Sequence, residues 1–473
     1  MPLLTSRPPS SGQPAVDVVL LAALYAVELS AAVLMMAIPR LGDQPMPALW
    51  ASRPRIFCLI AGLIAAASGA IIARRYRKSR GGGPAPFAPT VAINLVSVGG
   101  LVTIAELAVR LLAFPTAEGL MFLNTPLRPR SWPEVVSRNR EIIRQAASQG
   151  AYLVYDELMG WTVGANRRSA DGLSFSSAEG IRSPRPDMAF ADRPAAHRIA
   201  LVGDSFTFCL DVPYEASWGY RLERELGPDF QVLNFGVSGY GVDQAYLRYR
   251  RDVRPWKPEV VIFGVFPHDF VRTMTVYSFV SFPEWESPFA KPRFAIAEGR
   301  LAIFNVPPLP PEAIFSHRSI ADLPFIEYDK GFHPVDWEWR WYHRAYLWRY
   351  VISAYPRWPQ PAHQVSDAAM GTINGEILRD FVGLARAEGT TPIVVYLPAR
   401  RDLAASRPEG STSAGLAQEV MRQAAIDYTD LTPCLLALQA SERFVVGARH
   451  YSPRANAAIA RCLSPVVRRH VAN

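Results

Sequence analysis

The segment Leu201-Val-Gly-Asp-Ser-Phe-Thr-Phe208 puts a serine directly after a Gly-Asp turn. A short apolar run precedes it and helical spacing follows it. A hydroxyl held there suits nucleophilic attack. The strand fixes the backbone, glycine allows a tight turn, and a helix N-terminus favours developing negative charge. The bland alternative is an N-cap serine, which is common. A nucleophilic serine needs a base to take its proton, and histidine is the usual one.

The elements around these residues follow from periodicity. Arg198–Gly203, Gln231–Gly236, Glu259–Val265 and Pro392–Leu397 are short apolar runs, the pattern of buried parallel strands. Helical spacing lies between and after them, at Trp218–Leu226, Asp243–Asp252, Asp367–Glu388, Leu416–Ala425 and Pro453–Cys462. Strands alternating with helices predict an α/β fold with a doubly wound parallel sheet. Ligands of such sheets sit at the carboxyl ends of the strands, which is where Ser205 falls.

Three blocks together resemble the SGNH (GDSL-type) hydrolase superfamily. They are Gly203-Asp-Ser205, Asn234-Phe-Gly-Val-Ser-Gly-Tyr-Gly-Val-Asp-Gln244 and His450-Tyr-Ser-Pro-Arg-Ala-Asn456, which resembles the block that carries the family's catalytic histidine. Tyr155–Trp161 and Glu179-Gly-Ile-Arg182 look like the lead-in of its membrane-tethered bacterial branch. The resemblance covers roughly residues 150–280 and 385–470. It implies a flavodoxin-like sheet and a serine esterase mechanism. Ser205 would attack an ester carbonyl, with His450 as acid and base. The N–H groups of Ser205 and Gly239 would form the oxyanion hole.

Two positions depart from the family's pattern. The third block normally ends Asn-Asp, and its Asn is the third oxyanion donor. Here it reads Gly264-Val-Phe-Pro-His-Asp269, so His268 stands at that position. An imidazole can donate in its place if the tautomer suits. The family also places an Asp two or three residues before the histidine. Here those residues are Gly447 and Ala448, followed by Arg449. A Ser–His dyad oriented by a backbone carbonyl is one reading. Help from a more distant acid such as Asp269 is another.

The chain has 473 residues and a net charge of +8, with 19% charged residues and four cysteines. That excludes a disulfide scaffold and a charge-rich disordered chain. The charge is not spread evenly. Residues 1–114 hold ten Lys/Arg and four acids, a net +6, and leave +2 for the other 359 residues. Three apolar stretches in this region, near Val16–Ile38, Ile56–Ala73 and Val91–Phe114, have about the 20 residues a bilayer needs. The loop Arg74-Arg75-Tyr76-Arg77-Lys78-Ser79-Arg80 is purely basic and is expected in the cytoplasm. The expectation is a bacterial inner-membrane protein. Its N-terminus is cytoplasmic, three transmembrane helices hold it to the lipid bilayer, and everything after Phe114 is periplasmic. Glu106 and Arg110, at i,i+4 spacing, are expected to pair. Nothing suggests a nucleic-acid partner.

The expected organisation is a membrane segment (1–114), a linker and lead-in (115–195), a hydrolase domain (196–280 and 365–473), and a Pro/aromatic-rich cap insertion (281–364). Pro292–Pro307 reads as a hairpin around Glu298-Gly299. The insertion's Trp285, Trp337, Trp339, Trp341, Trp348 and Trp358 read either as edge packing or as a substrate platform. Cys434 and Cys462 flank the His450 block and read as a disulfide or as separate buried thiols. Cys209 reads as a packed small residue, and Cys58 lies in an apolar stretch. No histidine or cysteine spacing suits a metal, and no glycine-rich phosphate loop is present, so no metal and no cofactor are expected. Three functions fit this reading. The first is an esterase or deacylase acting on an envelope glycan, lipid or small ester. The second is an O-acyltransferase using the same serine and histidine. The third is a weak or inactive glycan-binding relative, motivated by the two departures.

Overall fold

Five strands, four of them apolar runs, pair as one parallel sheet. In the computed structural model they are β1 (His197–Val202), β2 (Phe230–Asn234), β3 (Val260–Val265), β4 (Thr391–Tyr396) and β5 (Tyr428–Asp430), in the spatial order β5-β4-β3-β1-β2. This is the flavodoxin-like strand order, whose switch point lies between β1 and β3. The structure describes residues 87–471 apart from 194, 286, 355–365 and 404–412. The stretches 16–38 and 56–73, the basic loop 74–80, Cys58 and Trp358 lie outside the described residues.

Alternation along each strand feeds two cores. Ala200, Val202, Leu233, Phe263 and Tyr396 face one side. Ile199, Leu201, Val232, Ile262 and Val395 face the other. The first side is covered by α3 (Val242–Arg248) and α5 (Asp367–Ala387), through residues such as Ala245, Ile377 and Phe381. The second is covered by α2 (Trp218–Leu226) and α6 (Pro453–Val471), through Trp218, Leu222, Ile459 and Leu463. Helices on both faces explain why the strands read as continuous apolar runs. Two short helices, α1 (Ser205–Phe208) and α4 (Asp269–Arg272), open directly after β1 and β3.

The chain divides into two units. One consists of residues up to Arg130 with Val335–Gln360, and the other of Ser131–Pro334 with Pro361–Asn473. The sheet lies in the second. There the lead-in is more than a linker. Leu153–Asp156 and Gly160–Val163 form an antiparallel hairpin, and Met159, Trp161, Val163, Ile181 and Phe190 enter the core. The expected hairpin near residue 298 forms from Arg293–Ala297 and Arg300–Phe304.

In the first unit, the helix Phe87–Leu112 covers most of the third apolar stretch, Val91–Phe114. Among the described residues no helix is long and apolar enough to cross a membrane. Arg110 Nε donates to Glu106 at 2.6 Å, so the expected pair is formed. Glu106 also accepts from the N–H groups of Tyr346 and Leu347, at 3.0 and 2.6 Å. It thereby caps the helix Tyr346–Ala354. The segment 281–364 does not stay together. Its part from Val335 packs in this unit, with the Arg130 guanidinium 4.5 Å from the Trp337 ring and that of Arg349 4.9 Å from Trp339.

Candidate active site

Gly203 ends β1 with φ +153°, where a Cβ would lie 2.2 Å from Thr207 Oγ1 and 2.9 Å from the Gly264 carbonyl oxygen. Only glycine lets β1 pass β3 so closely before the turn. Asp204 then caps α1, its Oδ1 accepting from Phe206 N–H at 2.8 Å. Ser205 takes the first helical position, whose N–H has no intrahelical partner. Trp218 Nε1–H donates to the Phe206 carbonyl at 3.0 Å and pins the short helix from the other side.

His450 arrives from a narrow loop. Val445 N–H donates to the His450 carbonyl at 3.0 Å, Ser452 N–H to the Arg443 carbonyl at 3.1 Å, and Gly447 turns the tip with φ +75°. Tyr451 Oη donates to the Pro398 carbonyl at 2.7 Å, fixing the loop to the end of β4. His450 Nε2 then lies 2.9 Å from Ser205 Oγ. Ser205 Oγ is also 3.5 Å from Asp204 Oδ2, but the histidine is the closer acceptor.

The imidazole is oriented by an acid that the sequence reading did not find. His450 Nδ1 is 2.6 Å from Asp211 Oδ2. A carboxylate can only accept, so Nδ1 carries the hydrogen and Nε2 presents its lone pair to the serine. Asp211 holds φ +70°, a left-handed conformation that Asp tolerates better than most residues. The hydrogen bond from His450, opposed by partial burial and joined by the backbone N–H groups of His450 and Arg449, holds its carboxyl below the usual range. The turn before it is clamped by buried Arg182. Arg182 Nη1 donates to the Phe208 and Cys209 carbonyls at 2.8 and 2.9 Å, and Nη2 to Val212 at 2.5 Å. The dyad reading therefore needs correction, and the distant acid is Asp211 in place of Asp269. The orienter is a side chain and not a backbone carbonyl, and it is not Asp269.

Asp269 is engaged elsewhere. It accepts from Phe266 N–H at 2.9 Å and from Arg272 Nη1 at 2.7 Å, and Arg272 Nη1 reaches Asp204 Oδ2 at 2.8 Å. Burial, with the neighbouring Asp204 carboxylate, pushes the Asp269 carboxyl up against the pull of Arg272. This buried trio ties α1 to α4.

Gly239 lies in the turn after β2, with φ +84°. Val237 N–H donates to the Gly203 carbonyl at 3.0 Å, bringing this turn beside the nucleophile turn. Trp161 Nε1–H donates to Ser238 at 3.0 Å and Tyr240 Oη to Trp161 at 2.7 Å. The lead-in thus braces the turn. A Cβ at Gly239 would meet Trp161 at 3.4 Å and Trp285 at 3.6 Å.

His268 sits at the start of α4. Its ring stacks on Phe266 at 5.4 Å, Phe266 on Phe206 at 3.9 Å, and Phe206 lies 4.8 Å from His450. Burial, reinforced by Arg272 and Arg401, lowers its pKa from 6.5 to about 4. At neutral pH it is therefore a neutral imidazole. Arg401 Nη2 lies 3.5 Å from Nε2, and a guanidinium can only donate. The hydrogen then resides on Nδ1, which is buried and has no hydrogen-bond partner among the described residues. A buried unpaired donor is costly.

Cys434 and Cys462 form a disulfide with a Cα–Cα distance of 6.5 Å, settling that alternative. Cys209 is buried, and burial pushes its thiol up to about 12, as fits a packed small residue. No cluster of histidine, cysteine or acidic side chains among the described residues could hold a metal.

No protein-family description and no curated protein sequence matches the chain. Solved structures it is similar to include GDSL-type lipolytic hydrolases, esterases and acylhydrolases. One is a protein assigned to the G-D-S-L lipolytic family from Desulfitobacterium hafniense, at 14% identity and TM-score 0.30, covering 57% of this chain and 98% of that one. Another is a lipase/acylhydrolase from Enterococcus faecalis, at 14% identity and TM-score 0.29, covering 57% and 96%. A third is a carbohydrate acetylesterase family member from Sinorhizobium meliloti, at 13% identity and TM-score 0.28, covering 59% and 100%.

Proposed function

We propose that the protein is a serine esterase or deacylase working through an acyl-Ser205 intermediate. The relay Ser205 Oγ–His450 Nε2–Asp211, at 2.9 and 2.6 Å, carries this reading. Ser205 Oγ bonds to the ester carbonyl carbon while its proton passes to His450 Nε2. The tetrahedral intermediate collapses, its bond to the alkoxide leaving group breaks, and His450 returns the proton to the departing alcohol. Water then attacks the acyl-enzyme in the same way and releases the acid and free Ser205. The N–H groups of Ser205 and Gly239 and Nδ1–H of His268 supply the oxyanion donors. The acid that the His450 segment lacks is provided by Asp211, which removes one of the two reasons for an inactive relative. The test is labelling by a fluorophosphonate probe together with turnover of 4-nitrophenyl acetate. Wild-type protein should show both and Ser205→Ala neither. Equal labelling of the two proteins would reject Ser205 as the nucleophile.

We further infer that the enzyme is anchored in a bacterial inner membrane with its catalytic unit in the periplasm. The apolar stretches near 16–38 and 56–73 support the anchor; with the basic loop between Arg74 and Arg80 kept in the cytoplasm, the periplasmic placement further requires the chain to cross once more between Arg80 and the catalytic unit. The Cys434–Cys462 disulfide suits an oxidising compartment. An ester on an envelope glycan or lipid would be within reach there.

A further inference from the structure

Glu179-Gly-Ile-Arg182 lies outside the sheet, yet its last side chain reaches the turn that carries Asp211. Arg182 opens a two-residue strand, Arg182–Ser183, paired antiparallel with Phe175–Ser176. The hairpin between them is fixed to the rest of the lead-in and to α3. Gly180, with φ +67°, passes so close that a Cβ there would lie 2.7 Å from the Val163 carbonyl oxygen. Arg248 Nη2 donates to the Gly180 carbonyl at 2.9 Å, and Ser176 Oγ to the Gly164 carbonyl at 2.5 Å. The Arg182 side chain therefore leaves from a braced backbone.

The turn it meets is strained. Two non-glycine residues in four hold positive φ, Cys209 at +64° and Asp211 at +70°. Left-handed residues persist where surrounding contacts over-determine them. Part of that support is local, since the N–H groups of Cys209 and Leu210 both donate to the Ser205 carbonyl. The rest comes from Arg182. Nη1 donates to the Phe208 and Cys209 carbonyls, before Asp211, and Nη2 to the Val212 carbonyl, directly after it. One planar fork thus bonds the chain on both sides of the acid and fixes the span between them. Its Cζ lies 4.4 Å from the Phe208 ring centroid, and the residue is 1% exposed, so water does not compete for these carbonyls. Burial pulls the guanidinium pKa down, a penalty on the charge that packing alone would not require.

Resting on the esterase reading above, we propose that Arg182 is a positioning residue for the relay. By bonding the carbonyls that flank Asp211, it holds the turn in the conformation that brings the carboxylate to His450 Nδ1. Arg182 touches neither the imidazole nor the serine, so its effect passes through Asp211 and belongs in kcat.

The test uses the full-length protein, 4-nitrophenyl acetate and fluorophosphonate labelling of Ser205. The stoichiometry of labelling counts folded sites, and its rate constant reports how well the serine is activated. Arg182→Gln should lower kcat and the labelling rate constant about 10²-fold, since a displacement of about 1 Å can cost that factor. KM and the final stoichiometry should stay near those of wild type. Arg182→Lys keeps a cation without the fork and should fall between, about 10-fold below wild type. In the Asp211→Asn background, Arg182→Gln should cost less than about 3-fold further, because no relay remains for it to hold. A merely structural role would lower the stoichiometry and leave the rate constant of the labelled fraction unchanged. That result, a loss of equal size with and without Asp211, or a kcat within about 3-fold of wild type in both Arg182 variants would overturn the positioning role and leave Ser205 standing. Failure of both variants to yield labelled protein, while wild type labels, would assign Arg182 to folding alone and overturn it too. Wild-type protein that neither labels nor turns over would overturn the esterase reading and this role with it.

Discussion

Asp211 holds the imidazole of His450 through a single 2.6 Å hydrogen bond. Asp211→Asn keeps the shape but lets Nδ1 accept, which turns the wrong tautomer towards Ser205. By analogy with serine proteases, kcat should fall on the order of 10³–10⁴-fold with KM nearly unchanged. A variant within tenfold of wild type would remove Asp211 from the relay. His268 gives a second prediction. His268→Ala should lower kcat about 10²–10³-fold and spare KM, whereas His268→Asn, which restores an amide donor, should retain most of it. The same residue leaves a signature in stability. Its pKa is about 4 in the folded protein against 6.5 ordinarily, so between those values the unfolded chain binds the extra proton. His268 therefore makes stability decline as pH falls from about 6.5 towards 4. Melting curves of His268→Asn across that range should be flatter than those of wild type. Ser205, His450 and the oddity of His268 were legible in the sequence because each lies in a local block. Asp211 was not, although it is the only acid between Ser205 and Tyr214. Its role depends on a left-handed turn that joins positions 239 residues apart.

Helices and strands deliver these side chains, and the disulfide is the tie whose effect can be isolated. Cys434 follows β5 and Cys462 lies within α6, so the bond closes a 28-residue span that contains the whole His450 loop. Closing a loop of that length stabilises by about 2–4 kcal/mol, chiefly by restricting the unfolded chain. Cys434→Ser, or reduction, should lower the unfolding midpoint by several degrees. The folded fraction should keep its kcat, because Tyr451 still anchors the loop to Pro398. An unchanged midpoint would show that the bond does not form in the native protein. The strands of the sheet could be read from sequence wherever apolar runs were long enough to be buried on both faces. β5 was missed because it is only Tyr428-Thr429-Asp430 at the sheet edge, with no apolar run at all. The lead-in was underestimated for a related reason. Its two strands have four residues each, and their order comes from Trp161 and Tyr240 bonding across the core.

At the scale of the whole chain, charge and apolar sequence are distributed along its length in a way that the sheet does not require. A net +6 falls in the first 114 residues, and five of those positive charges lie between Arg74 and Arg80. Such a loop resists translocation, so it sets which side of a bilayer the following unit reaches. On the periplasmic placement proposed above, the Cys434–Cys462 bond would form in an oxidising compartment, so orientation and the disulfide are linked. Replacing Arg74, Arg75, Arg77, Lys78 and Arg80 by glutamine should weaken the orientation without touching the catalytic unit. In whole bacterial cells, a protease added after the outer membrane is opened should digest the C-terminal unit of the wild type. A substantial part of the glutamine variant should survive, retained in the cytoplasm with Cys434 and Cys462 reduced. Equal digestion of both proteins would mean that the loop does not set the topology. Protection of both would place the site of Ser205 on the cytoplasmic side.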